Sequence, residues 1–209
     1  ILTILKRDNL KSAFISIEEP GANIYPHLQR QFIENLRILR QKYQEENDLH
    51  LQFIITTHSS EILSQFRSEE LVIIKKTQSY SKAVYPPDKV KFASGGAKFE
   101  GKHFIIENNL FNFFPEAFFS RAIILVEGET EGGAIPIWSK MMGKNLDEYG
   151  ITCVQMHGDG NLDYYKRYFE LMDMPFCVVL DRDKGRTSQA SNELITYEQA
   201  FEEEIVKNY

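Results

Sequence analysis

Three glutamates follow directly on one apolar run. In "AIILVEGETEGG", residues 122–133, the apolar residues 123–126 run straight into Glu127, Glu129 and Glu131. Glu127 leaves the strand that this run predicts, and Glu131 lies four residues further on, one turn into the next helix. The surrounding glycines allow tight turns and close backbone approach. The spacing predicts that Glu127 and Glu131 act at one site, whereas Glu129 lies off that face and is expected to be solvated.

A second acidic pair ends another apolar run. "FCVVLDRD", residues 176–183, places Asp181 and Asp183 two positions apart, so in extended chain both carboxylates point the same way. Carboxylate oxygens without His or Cys suit Mg²⁺ or Mn²⁺ and not zinc. With Glu127 and Glu131 they can hold two metal ions about 3.5–4 Å apart, the arrangement used in phosphodiester cleavage. Either motif alone is also typical of a solvated loop, but the two together favour a metal site.

The first half of the chain carries a third acidic pair and a histidine. "FISIEEP", residues 14–20, is a short strand followed by Glu18, Glu19 and a proline. This spacing suits a Walker B element, in which the first acid binds Mg²⁺ through water and the second polarises the attacking water. "FIITTHSS", residues 53–60, resembles the switch-histidine segment of ABC-type ATPases, with His58 able to sense a γ-phosphate. The alternative is a structural strand–turn–helix with exposed acids.

These residues all follow predicted strands, and the strands alternate with helices. Apolar runs predict strands at 13–17, 51–57, 71–76, 122–126, 151–157 and 176–180. Helical spacing predicts helices at 26–46, 59–66, 103–119 with a break at Pro115, 131–142 and 162–172. The stretch 77–100 is rich in Pro and Gly and is expected to be a loop-rich joint. The pattern predicts an α/β fold with a parallel sheet in both halves, and parallel sheets place ligands at the carboxyl ends of their strands.

Composition bounds the function further. The 209 residues carry 24 Lys and Arg against 30 Asp and Glu, a formal net charge of −6, which argues against a large basic face gripping nucleic acid. A nucleic-acid enzyme stays open, because bound divalent metals invert the local field at an acidic site. The two cysteines, Cys153 and Cys177, sit in apolar runs and indicate reduced, buried thiols in a cytoplasmic protein. No apolar run is long enough for a membrane span.

The acidic motifs resemble a known family. "IILVEGETE" followed some fifty residues later by "VVLDRD" resembles the Toprim domain of topoisomerases, DnaG-type primases and nucleases of the OLD (overcoming lysogenization defect) family. The form "LVEG-x-TE" is most similar to the OLD nucleases, and "HGDGN", residues 157–161, resembles their glycine-containing middle segment. OLD proteins join an ABC-type ATPase to a C-terminal Toprim domain, in the order that the motifs follow here.

The resemblance implies a domain plan and a function. Residues 1–90 would be the C-terminal part of an ABC-type ATPase domain, 91–120 a linker and 121–209 a Toprim nuclease domain. The implied reaction is Mg²⁺- or Mn²⁺-dependent cleavage of DNA, with Glu127 also the candidate proton-transfer group. It further implies ATP as a cofactor of a full-length protein, a homodimer or higher homo-oligomer, a role in prokaryotic anti-phage defence as in Gabija-type systems, and a defence-system partner protein.

The Walker B region departs from the family pattern. The usual segment reads close to "IEEPE-x-x-LHP-x-x-Q", whereas this chain has "IEEPGANIYPHLQ". Gly21 replaces the third acid, and Ile24-Tyr25 replaces Leu-His. The only near match to a phosphate-binding P-loop, "GAKFEGKH", ends in His103, follows Walker B and has no strand leading into it. A true P-loop is therefore expected before Ile1 in a longer protein, and this chain is not expected to hydrolyse ATP by itself.

Several other residues are weaker candidates for the site, and two other functions are possible interpretations of the sequence. His157 follows a strand, although a lone histidine is more often a packed or surface residue. Trp138 and the "FNFF" aromatics, residues 111–114, are interpreted as core. Lys184, Arg186, Glu193 and the run Glu202–Glu204 could complete the site but do not align with a motif. Two alternatives stay open: a non-catalytic ABC-ATPase and Toprim assembly module, and another Toprim enzyme of the topoisomerase or primase type.

Overall fold

The computed structural model describes residues 11–76, 79–181 and 194–197, and of Asp181 and residues 194–197 it describes the backbone alone. The chain forms two compact units, Ile1–Phe66 and Arg67–Tyr209. The sequence-based domain boundaries, with the ATPase part ending at residue 90, stay a prediction. In the described residues, no helix is both long and apolar enough to cross a membrane.

The first unit is a β–α–β arrangement followed by a short helix. Its elements are β1 (Ser12–Glu18), α1 (Pro26–Asn47), β2 (His50–Thr56) and α2 (Ser60–Leu63). The two strands are parallel and in register from Ser12 opposite His50 to Glu18 opposite Thr56. Pro26 occupies the first turn of α1, as predicted, because proline fixes a helical φ where no N–H is needed. The carboxyl ends of both strands therefore lie side by side.

The second unit is built on a four-stranded parallel sheet. Its strands and helices are β3 (Ile73–Lys76), β4 (Ser81–Val84), α3 (Lys89–Ala93), α4 (His103–Phe113), β5 (Ala122–Val126), α5 (Glu129–Met141), α6 (Leu146–Tyr149), β6 (Ile151–Gln155), α7 (Leu162–Leu171), β7 (Phe176–Asp181) and β8 (Leu194–Tyr197). The strand order is β6-β5-β7-β8. All neighbouring strands in it run parallel. β5 is central and its Ile123, Leu125 and Val126 are buried, which confirms the α/β fold class.

The region 71–100 differs from the sequence-based interpretation. The strand predicted at 71–76 pairs with β4 in an antiparallel hairpin, and within the described part of the chain it joins no parallel sheet. The stretch 77–100, expected to be loop, holds β4 and α3. The hairpin signal is weak because β4 reads "SKAV", short and half polar. Lys82 Nζ reaches Asp173 at 2.6 Å and Lys75 Nζ reaches the Asp173 carbonyl at 2.7 Å, and these distant contacts anchor the hairpin.

The segment 103–119 follows the prediction more closely. α4 ends at Phe113, and a 3-10 helix runs from Pro115 to Phe119, so the break at Pro115 is confirmed. The reading of "FNFF" as core is half wrong. Phe111 is buried, but Phe113 is 64% exposed because it lies two residues on and faces away from the core.

The two cysteines are free thiols on neighbours of the central strand. Cys153 in β6 and Cys177 in β7 both lie opposite Ile124 of β5. Two strand spacings, about 10 Å, therefore separate their backbones, which is too far for a disulfide. Burial raises the pKa of the Cys153 thiol to about 11 and also raises the pKa of Cys177. Both side chains consequently stay protonated and unreactive at neutral pH.

Candidate active site

Glu127 lies at the mouth of the central strand. It is half-buried, and it directly follows Val126, the last residue of β5. The Met156 N–H donates to the Val126 carbonyl at 2.9 Å, and the Gly158 N–H donates to the Glu127 carbonyl at 3.0 Å. The β5–β6 hydrogen bonding thus continues past both strands and fixes the Glu127 backbone at the carboxyl edge of the sheet.

Glu131 is a buried carboxylate in the first turn of α5. Its side chain is 4% exposed, and Oε2 accepts a hydrogen bond from the Gly128 N–H at 3.0 Å. The N-terminal end of a helix carries partial positive charge, so the position suits an acid. Glu129, two residues earlier, is exposed, as the spacing predicted. The chain therefore turns Glu127 and Glu131 inward and leaves the acid between them in solvent.

Gly132 faces Gln155 where α5 approaches β6. A Cβ added to Gly132 would lie 2.5 Å from Nε2 and 2.9 Å from Cγ of Gln155. A side chain at position 132 would therefore require the side chain of Gln155 to shift.

One of the other two predicted ligands, Asp181, ends the neighbouring strand. β7 pairs with β5 through Val179 opposite Val126, so Asp181 ends β7 at the same edge of the sheet as Glu127. The Asp181 side chain and the whole of Asp183 lie outside the described residues. Among the residues that are described, no group of three or more His, Cys, Asp or Glu side chains could hold a metal. The donors brought to this edge, Glu127 and Glu131, have the hard oxygen chemistry of Mg²⁺ ligands, and the four-carboxylate site stays a prediction.

The segment after β6 borders the same edge of the sheet. It contains a side-chain contact, between His157 and Asn109, that the sequence analysis did not predict. His157 has φ 53° and Gly158 φ 105°, so the chain turns sharply there. The side chain of Asn161 donates to the Met156 carbonyl at 2.9 Å. His157 Nε2 lies 3.2 Å from Oδ1 of Asn109, a buried residue in α4. Since Asn109 lies 48 positions away, nothing in the local sequence could indicate the contact.

The first unit brings two of the predicted ATP-site residues together. His58 Nδ1 lies 2.9 Å from Glu19 Oε2, and the Glu19 N–H donates to the Thr56 carbonyl at 2.8 Å. A hydrogen bond from His58 is the main cause that lowers the pKa of Glu19. Glu18 ends β1 and is exposed. All three residues therefore lie at the carboxyl edge of the β1–β2 pair, as the motif spacing implies.

Gln29 in α1 supports this edge, and sequence reasoning did not find it. Its Nε2 donates to the carbonyls of Gly21 at 3.2 Å and Ile24 at 2.8 Å. Its Oε1 accepts from the Ser59 hydroxyl, whose residue caps α2 directly after His58. One side chain thus ties the turn after Glu19 to the segment that carries His58. A Cβ at position 21 would lie 2.7 Å from Gln29 Oε1, so a larger residue there would require the end of the Gln29 side chain to shift.

Two family models match the chain. Residues 118–183 match the TOPRIM domain of overcoming lysogenization defect protein-like proteins. Residues 1–64 match an AAA domain described as a putative AbiEii toxin of a type IV toxin–antitoxin system. The Toprim match covers Glu127, Glu131, Asp181 and Asp183, and the AAA match covers Glu19 and His58.

A curated relative and a solved structure are similar to this chain. Endonuclease GajA from Bacillus cereus (strain HuB5-5) is 30% identical over 193 residues, which is 85% of this chain and 27% of the relative. The chain thus spans about a quarter of the length of that protein. The C-terminal region of the OLD protein of Xanthomonas campestris pv. campestris aligns over 43% of this chain and 56% of that structure, with 25% identity and a TM-score of 0.37.

Proposed function

We propose, from the premise that residues 118–183 are an OLD-like Toprim domain preceded by an AAA-type segment, that the chain carries the cleavage site of a metal-dependent DNA endonuclease. The observation that carries the proposal is the pair Glu127 and buried Glu131 at the mouth of β5, beside the strand that ends in Asp181. Similarity to a relative named an endonuclease supports the same reaction.

The proposed ligands are Glu127, Glu131, Asp181 and Asp183. Mg²⁺ or Mn²⁺ bound there would activate a water and stabilise the leaving oxygen of a phosphodiester. The chain's own contribution is orientation. The Gly128 N–H holds one Glu131 oxygen in place, and the Gly158 N–H holds the backbone of Glu127. Glu127 is the residue that we assign to hold or move a proton during cleavage.

The N-terminal unit supplies the proposed control of that site. We assign Glu18, Glu19 and His58 to an ATP site that is used in a longer protein, where ATP regulates or assembles the nuclease. The Glu19–His58 contact supports this assignment, because a Walker B glutamate held by a histidine can respond to the γ-phosphate that the histidine meets. Homo-oligomerisation, anti-phage defence, a defence-system partner and a cytoplasmic location belong to the same proposal.

One observation favours the competing function, a non-catalytic assembly module. Glu131 already accepts a backbone hydrogen bond at a helix N-terminus, which is a structural role that needs no metal. Calorimetric titration with Mn²⁺ separates the two functions. A nuclease site binds the ion, and Glu131→Gln weakens the binding. A module without a metal site gives no binding heat above that of dilution.

The cleavage itself is tested with plasmid DNA. The wild-type chain is expected to nick a supercoiled plasmid when Mn²⁺ is present, and Asp181→Ala is expected to abolish nicking while its circular dichroism spectrum stays unchanged. The physical reason is the loss of a metal ligand at the strand end. Undiminished nicking by Asp181→Ala would remove Asp181 from the site.

A further inference from the structure

Asn109 is a buried amide whose hydrogen bonds reach three parts of the second unit. Its side chain is 5% exposed. Nδ2 donates to the Gln155 carbonyl at 2.9 Å and to the Tyr165 hydroxyl, while Oδ1 lies 3.2 Å from His157 Nε2. A buried amide destabilises a protein unless its polar atoms are paired, so this set of bonds holds Asn109 in one orientation.

That orientation determines which nitrogen of His157 is free for a ligand. The Gln155 carbonyl can only accept, so the amide nitrogen of Asn109 must face it and Oδ1 must face His157. An amide oxygen also only accepts, so His157 Nε2 carries a proton and donates it to Asn109. Nδ1 is thus the ring nitrogen left for another partner. In the imidazolium form Nδ1 also carries a proton and donates a charge-assisted hydrogen bond to an anion.

His157 stands beside the proposed cleavage site. Its two neighbours in sequence donate backbone hydrogen bonds to Val126 and Glu127, so its backbone lies next to the mouth of β5. β6 lies one strand spacing, about 4.8 Å, from β5 and on the side away from β7.

The histidine is exposed although it is firmly held. His157 adopts a left-handed φ of 53°, which costs a non-glycine residue energy but is tolerated by His and Asn. Its ring meets the exposed Phe113 edge-to-face, with centroids 6.5 Å apart. The hydrogen bond satisfies the buried amide oxygen of Asn109 and leaves the rest of the His157 ring in solvent. The arrangement suits a side chain kept ready for a ligand that arrives from solvent.

We propose that His157, oriented by Asn109, binds a phosphate of the DNA strand next to the one that is cleaved. The inference rests on the proposed nuclease function and adds a substrate-positioning residue to it. Asn109 acts through His157 and does not touch DNA.

The test compares two replacements of His157 in the full 209-residue chain. His157→Asn keeps the left-handed backbone but removes the ring and its charge, whereas His157→Lys retains a positive donor. We expect His157→Asn to raise KM for plasmid nicking about tenfold, the typical value of one hydrogen bond to a charged group, with kcat unchanged within about twofold. Asn109→Ala should raise KM by a similar factor, and the double variant should show no further rise.

Salt dependence supplies a readout that a purely structural role would not change. The affinity for a fluorescent duplex is measured by anisotropy in Ca²⁺ over a series of salt concentrations. Loss of one phosphate contact should reduce the steepness of the negative slope of log affinity against log salt by about 0.9, and His157→Lys should restore it. His50→Gln, which changes an exposed histidine at the start of β2, is the matched control and should change neither KM nor slope.

The outcomes separate this inference from the proposed function. A wild-type chain that neither binds nor nicks DNA would overturn both. A wild-type chain that nicks DNA, with His157→Asn showing the wild-type KM and salt slope, would overturn the His157 assignment alone. A rise in KM shared by His157→Asn and His157→Lys, with no change in slope, would assign His157 a role in folding the loop and would also overturn the proposal.

Discussion

A buried ion pair between His103 and Glu107 of α4 provides a test of the stability of the second unit. Glu107 Oε1 accepts the Ser68 N–H at 2.8 Å, and Oε2 lies 3.2 Å from His103 Nδ1. His103 Nε2 lies 2.6 Å from the Pro87 carbonyl, which can only accept. Both ring nitrogens thus face acceptors, an arrangement that favours the imidazolium form of His103 paired with a carboxylate.

The replacement Glu107→Gln keeps the shape of the side chain and removes its charge. Burial by itself would raise the Glu107 pKa, but hydrogen bonds from His103 and Ser68 outweigh it and lower the pKa from 4.5 to about 2. At about 1.4 kcal/mol for each pH unit, this difference corresponds to about 3 kcal/mol of stability. Breaking a buried pair by removing one partner typically costs about 3–5 kcal/mol, which agrees. For a unit of this size, 3 kcal/mol lowers Tm by about 6–12 °C.

The two pKa shifts determine the pH range in which the replacement should lower stability most. The Glu107 contribution is complete above the ordinary carboxyl value of 4.5 and is lost as the pH falls towards 2. Burial would lower the His103 pKa, but hydrogen bonds to Glu107 and Pro87 outweigh it and raise that pKa. The His103 contribution is therefore complete below 6.5 and is lost as the pH rises through the raised value. Wild-type and Glu107→Gln chains should differ most in stability between pH 4.5 and 6.5.

The assay is urea and thermal unfolding followed by circular dichroism across this pH range. Glu170→Gln, which neutralises an exposed acid on α7, is the matched control and should leave Tm within about 1 °C. If Glu107→Gln unfolds within about 0.5 kcal/mol of the wild type at pH 5.5, the ion pair contributes nothing and the assignment of His103 as an imidazolium is wrong.

Two further predictions concern the candidate sites. Gly132→Ala should destabilise the chain by about 1–3 kcal/mol in urea unfolding, because the added Cβ meets Gln155. Gln155→Ala in the same chain should restore most of that loss. If it restores none, the steric cause is refuted. His58→Ala should raise the Glu19 pKa towards 4.5 in an NMR carboxyl titration, because His58 supplies the hydrogen bond that lowers that pKa. An unchanged Glu19 titration would show that the two side chains do not pair in solution.

Much of the fold and part of the site could be predicted from sequence, because both rest on local patterns. The apolar run 122–126 coincides with β5, since a buried central strand needs continuous apolar residues. The exposure of Glu129 was predicted from the spacing of the three glutamates, whereas the burial of Glu131 was not predicted. Whether the predicted quartet of Glu127, Glu131, Asp181 and Asp183 meets around a metal stays a prediction.

What could not be predicted depends on contacts between distant residues. Asn109 contacts His157, which lies 48 positions away. Gln29 contacts Ser59, the neighbour of His58, which lies 30 positions away. Neither Asn109 nor Gln29 belongs to a local motif. The hairpin at 73–84 was missed for the same reason, since its strands are short and its anchor is Asp173. Sequence patterns therefore identified the chemical groups at the strand ends, whereas the amides that orient them became visible only in three dimensions.

The most direct test of the central claim is Mn²⁺-dependent plasmid nicking by Glu127→Gln beside Glu129→Gln. The two variants remove the same charge two residues apart, one from the half-buried position at the mouth of β5 and one from an exposed position. Loss of nicking by at least about a hundredfold in Glu127→Gln, with wild-type activity in Glu129→Gln, is the predicted result. Equal activity in both variants, with Mn²⁺ required and both chains folded, would contradict the assignment of the cleavage site to this edge of the sheet.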